Sequence, residues 1–222
     1  MPRSSNESSV PAYRRFMDTL RKFPLTIVLS SLTIAMYYLG FGSDRCSLIC
    51  PLDWQSNDWT RFILHPFIHS SPIHLYGNVF GLLIVGYLIE DWMKLYSRKE
   101  CYVIFPIAFG ISYLIDFFLW HVQIQMAFNN VAINLLTQHP ANGMSLVVYG
   151  LSAFPLVYYF AFSKQIVSEE NWNIYAPILI GIIFGPSLLL IVELFVGVGG
   201  VNAIYHVAAF FVSFIIARRF FR

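Results

Sequence analysis

Apolar runs near twenty residues long alternate with short polar stretches along this chain. Six such runs stand at residues 24–41, 72–90, 101–120, 143–162, 173–196 and 201–217. A helix rises about 1.5 Å per residue and the hydrocarbon core of a bilayer is about 30 Å thick, so each run has spanning length. The pattern therefore predicts six transmembrane helices with little chain left over. Outside them lie a polar, basic N-terminal tail over 1–23, a long polar loop over 42–62 and a second loop over 121–142 that is rich in Asn and Gln. No repeat of 20–50 residues and no low-complexity tract interrupts the pattern, so 24–222 reads as one helical membrane domain.

Composition points the same way. Of the 222 residues, 57% are hydrophobic and 12% charged, about half the charged share of a soluble domain. Lys and Arg are retained on the cytoplasmic side of a membrane. Twelve of the 14 fall in the tail, in the 2–3 and 4–5 loops and at the C-terminus, leaving Arg45 and Arg61 opposite. Both termini are thus expected in the cytoplasm. Topology accounts for the basic residues and for the net charge of +2, so nucleic acid is not expected as a partner. No small-residue cleavage site follows the first run, so the polar, basic residues before it are expected to be a cytoplasmic tail rather than a signal peptide, and the lack of a transit pattern in that tail favours the cell membrane.

Strongly polar side chains inside the runs are few, and such groups face a bundle interior or a hydrated cavity. The second run supplies His74 and Asn78, the fourth Ser145 and the sixth His206. Counted from the external helix ends, all four lie roughly 3 to 9 Å deep, in one layer. Ser152 lies about 10 Å deeper than Ser145, out of reach of that histidine. A serine becomes a nucleophile when a base within hydrogen-bond reach takes its proton, so Ser145 and His206 form the candidate pair. Ala209 and Ser213, at i+3 and i+7 from His206, share its face and give the small-xxx-small spacing that lets membrane helices approach. Tyr149, four residues after Ser145, is placed to lie against the imidazole. His74 and Asn78, at i and i+4, offer neutral donors to a developing oxyanion, and backbone amides at the start of the fourth helix add to them.

These residues resemble the rhomboid family of intramembrane serine proteases over essentially the whole chain. The resemblance rests on Trp59-x-Arg61 in the first external loop, His74 and Asn78 on a His-rich second span, "GMSLVVYG" at 143–150 as the Gly-x-Ser element, and His206 followed by small residues. It implies a six-helix fold in which Ser145 is the nucleophile, His206 the general base and acid, His74 and Asn78 the oxyanion hole, and Tyr149 the stacking ring. It also implies transmembrane proteins as substrates, and neither metal nor organic cofactor. Where rhomboids often carry glycine, Leu146 follows the serine here and is expected to narrow the site; Ala209 and Ser213 replace the glycines after the histidine.

Other residues have plainer readings. Cys46 and Cys50, in the external loop, suit either a disulfide or two free thiols. His65 and His69, at i and i+4, have metal-ligand spacing, but Pro66 and Pro72 favour a structural role ahead of the second helix. Ser152 is expected to pack against a neighbouring helix, and Asp116 and Glu193 to take a solvated or interfacial role near external helix ends. Two further functions stay open: a catalytically silent rhomboid-like protein that binds membrane clients, and a histidine-based proton or metal carrier, for which acidic residues deep in the bundle are lacking.

Overall fold

The computed structural model describes residues 13–14, 17–18, 21–39, 63–69, 71–93, 98–128, 143–166, 181 and 200–222. Among them are five long α-helices and no strand: α1 (Pro24–Tyr38), α2 (Pro72–Tyr87), α3 (Arg98–Phe128), α4 (Ser145–Ile166) and α5 (Gly200–Phe220). These correspond to the first four predicted runs and the sixth. The α3 helix extends eight residues beyond its expected end at 120. The fifth run lies outside the described residues except for helical Gly181, as do most of the tail, loop 42–62 with Trp59, Arg61, Cys46 and Cys50, residues 129–142, and Glu193.

Local sequence explains where the helices begin. Both α1 and α2 open with proline, whose fixed φ suits the first turn and whose missing N–H would be unbonded there anyway. Ser71 caps α2 by accepting a hydrogen bond from the His74 backbone N–H at 3.2 Å. The α1 helix has no side-chain cap of its own. Its cap comes from Glu90, in the π-helical turn Leu88–Trp92 that continues α2. The Glu90 carboxylate accepts from Leu25 N–H at 3.1 Å, from Thr26 N–H at 2.6 Å and from the Thr26 hydroxyl. This arrangement meets two needs: orphan donors at a helix N-terminus are satisfied, and a buried carboxylate is fully bonded. Gly86 lets α1 come this close, since a Cβ there would lie 2.0 Å from Thr26 Oγ1.

The α4 helix forms the centre. Its residues 145–158 are buried almost throughout, as expected of a helix apolar on all sides. It packs against α2, α3 and most extensively α5. Leu82 of α2, Leu88 of the π-helical turn, Ile104 of α3, and Leu151 and Phe154 of α4 form the main apolar core. A second cluster joins Ile111 and Ile115 of α3, Leu146 of α4, and Tyr205 and Ala209 of α5. Large apolar side chains also face outward, among them Ile73 and Phe80 on α2, Leu114 and Phe118 on α3, and Phe211 and Ile215 on α5. Among the described residues, two helical stretches, Pro72–Asp91 and Ser145–Phe162, are long and apolar enough to cross a membrane.

Candidate active site

Ser145 is the first residue of α4, where the backbone N–H groups of the opening turn have no partner within the helix. Gly143 makes that start possible. Its φ of +96° lies in the left-handed region that suits glycine. Space demands glycine as well, because a Cβ would stand 3.0 Å from both Asn78 Nδ2 and His69 Nε2. The Gly143 N–H donates to the His65 carbonyl at 3.0 Å, tying the lead-in of α4 to the segment before α2.

From this start, the Ser145 hydroxyl meets the His206 ring of α5, with Oγ and Nε2 2.9 Å apart. The two residues are 61 positions apart in the chain, and both are more than nine-tenths buried. Tyr149, one turn along α4, lies flat on the imidazole with ring centroids 4.2 Å apart and planes within 6°. That contact sets the plane of the ring, and so the direction of Nε2. The backbones of α4 and α5 approach through small residues: the Ser213 hydroxyl comes within 3.0 Å of where a Gly150 Cβ would be. Ala209 is fully buried in the second apolar cluster. Leu146 belongs to the same cluster and is itself fully buried against residues of α3 and α5.

Asn78 and His69 lie against the Gly143–Met144 turn that leads into α4, and His74 lies against His69. Asn78 is buried on α2, and its Nδ2 donates to His69 Nε2 at 3.0 Å. His74 lies edge-on to His69, with ring centroids 5.2 Å apart. His69 is thus part of the site, though its sequence context suggested only a structural role before the helix. The available signal was its spacing, five residues before His74 and nine before Asn78. Burial, and then the neighbouring His74 ring, push its pKa down to about 4, so it is neutral near pH 7.

Ser152, expected to pack against a neighbouring helix, is buried, and its hydroxyl donates to the Tyr149 carbonyl of its own helix at 2.7 Å. Of the two roles open to Asp116, the solvated one does not hold: its carboxylate is largely buried, 3.8 Å from His65 Nε2. His65 in turn meets the Tyr113 ring edge-on, and the Tyr113 hydroxyl donates to the Ile63 carbonyl. Two more acidic residues, Glu90 and Asp91, are buried in the π-helical turn at the far end of α2. No group of three or more His, Cys, Asp or Glu side chains suited to a metal occurs among the described residues.

Comparison with known proteins adds an independent line. A family model described as "Rhomboid domain" matches residues 56–222. The chain is 32% identical to Rhomboid-related protein 4 of Rattus norvegicus over 82 residues, which is 36% of this chain and 23% of the relative. It is 28% identical to Rhomboid-related protein 4 of Pongo abelii over 172 residues, covering 68% of this chain and 52% of the relative. The chain therefore spans between about a quarter and about half of the length of these curated relatives. No solved structure matches.

Proposed function

The chain belongs to the rhomboid family of integral membrane proteins, and on that premise we propose that it is an intramembrane serine protease acting on single-pass membrane proteins. The observation that carries this reading is the 2.9 Å contact between Ser145 Oγ and His206 Nε2. In this reading six helices span the membrane with both termini in the cytoplasm, the reaction runs near the outer face, and the membrane is that of the cell.

The chemistry follows from those two groups. His206 Nε2 takes the Ser145 proton as Oγ attacks the scissile carbonyl carbon, and a tetrahedral oxyanion forms. The imidazolium returns that proton to the leaving amine nitrogen as the C–N bond breaks, leaving an acyl-serine. Water, deprotonated by the same imidazole, then hydrolyses the ester. Tyr149 holds the imidazole plane through both proton transfers. The oxyanion is met by the second Nδ2–H of Asn78, by the His74 ring and by the free N–H groups of the first turn of α4. A substrate helix must unwind locally first, because its carbonyls are otherwise hydrogen bonded. Helix-breaking or small residues are therefore expected near the cut.

The test is cleavage of a reporter transmembrane protein in reconstituted vesicles. Ser145→Ala and His206→Ala are each expected to abolish it while the protein still folds. Cleavage that survives in both variants refutes the proposal. Client binding that is equal in wild type and Ser145→Ala, with no cleavage by either, would favour the silent binding protein instead.

A further inference from the structure

His69 is buried between the segment that leads into α2 and the start of α4, and its hydrogen bonds define its protonation state. Its Nδ1 lies 3.2 Å from the Phe67 carbonyl oxygen. A carbonyl only accepts, so Nδ1 carries the proton and Nε2 of the neutral ring is an acceptor. Two donors converge on it: Asn78 Nδ2–H at 3.0 Å and the Met144 backbone N–H at a longer 3.5 Å. The opposite amide orientation would set Asn78 Oδ1 against the Nε2 lone pair, acceptor against acceptor. One ring thereby fixes which way the Asn78 amide points and where the chain enters α4, one residue before Ser145.

We propose that His69 is a positioning residue for the Ser145 site: as an Nδ1–H imidazole it locks the Asn78 amide and the Gly143–Met144 turn in the arrangement a developing oxyanion meets. The inference rests on the proteolytic reading above and deepens it. With one Asn78 Nδ2–H held by His69, the other is directed away from it and is available to the oxyanion. With the Met144 N–H also engaged, the free backbone donors begin at Ser145. Gly143 belongs to the same unit, because any Cβ there would press on both Asn78 Nδ2 and His69 Nε2. Burial of His69 keeps the ring neutral, as the two acceptor contacts require.

The experiment uses the full chain in micelles, with a reporter transmembrane substrate and a fluorophosphonate probe. His69→Phe keeps a ring and removes the acceptor; His69→Gln keeps an acceptor oxygen. Losing an oxyanion donor outright costs about 10² to 10³ in kcat, and misplacing one costs less. The Phe variant is therefore expected to lower kcat about 10- to 100-fold with KM nearly unchanged, and the Gln variant to recover most of that loss. A purely structural role would lower the active fraction equally in both variants. Wild-type kcat in His69→Phe, or no rescue by Gln, overturns the proposal. A measurement on wild-type protein stands even if the Phe variant does not fold: 15N-histidine NMR is expected to show His69 as the neutral Nδ1–H tautomer from pH 8 to pH 5. An Nε2–H tautomer, or protonation near pH 6.5, overturns it. Wild-type protein that neither reacts with the probe nor cleaves would instead sink the proteolytic reading, and the positioning role with it, so the two failures are distinguishable.

Discussion

Gly143→Ala perturbs the site at one atom, and its cost can be worked from the geometry. The φ of +96° is unfavourable to any L-residue, which costs about 1–3 kcal/mol when the surroundings force it. The added methyl carbon would also stand 3.0 Å from Asn78 Nδ2 and from His69 Nε2, and 3.1 Å from His69 Cδ2. Ordinary contact begins near 3.4 Å, so the Asn78–His69 pair must give by a few tenths of an ångström or the turn must move. Either change shifts the oxyanion donors or Ser145 itself. The variant should lose about 1–3 kcal/mol of stability, and its kcat should fall about 10-fold or more because placement errors are costly in a preorganised site. Thermal unfolding in micelles measures the first quantity, and kcat and KM on a reporter substrate the second. Gly77→Ala is the control: a Cβ there meets nothing within 4 Å, and alanine within a helix is better by roughly 0.5–1 kcal/mol. Wild-type stability and turnover in Gly143→Ala would refute the reasoning.

Three further predictions concern other parts of the fold. Glu90→Ala strands the donors of Leu25 and Thr26, at about 1–3 kcal/mol each, and should lower the melting temperature clearly. Because Glu90 lies roughly 24 Å along the helix from His74, turnover at low temperature should be unchanged; selective loss of kcat would contradict this. Tyr149→Phe keeps the stacked ring and should stay within about twofold of wild type, whereas Tyr149→Ala removes an aromatic contact worth about 0.5–1.5 kcal/mol and should cost about 10-fold in kcat; equal effects would exclude stacking as the cause. For pH, the folded-state pKa of His69 near 4 lies below its unfolded value of about 6.5. Between those values the unfolded chain binds a proton that the folded chain does not, so this residue makes stability fall with falling pH in that window, by up to about 1.4 kcal/mol per unit, and contributes no slope above it. His69→Gln should flatten that part of the stability curve relative to wild type.

Which of these features could be read from the sequence follows from how local they are. Apolar runs set the helices, and spacing along single helices put Ser145 with Tyr149 and His206 with Ala209 and Ser213. Counting depth from the external ends brought α4 and α5 into one layer. What escaped were pairings that depend on how separate segments pack. Glu90 and Thr26 are 64 residues apart, and nothing in either neighbourhood marks one as the cap of the other. The π-helical turn that carries Glu90 has no sequence mark. His69 and Asp116 looked ordinary because their partners, Met144 and His65, belong to other segments.

The most direct test of the central claim is fluorophosphonate labelling of the purified chain, followed by peptide mapping. A single adduct on Ser145 that disappears in His206→Ala is the predicted result. An adduct on Ser152 or elsewhere, or labelling of Ser145 at the wild-type rate without His206, would contradict a serine activated by that imidazole.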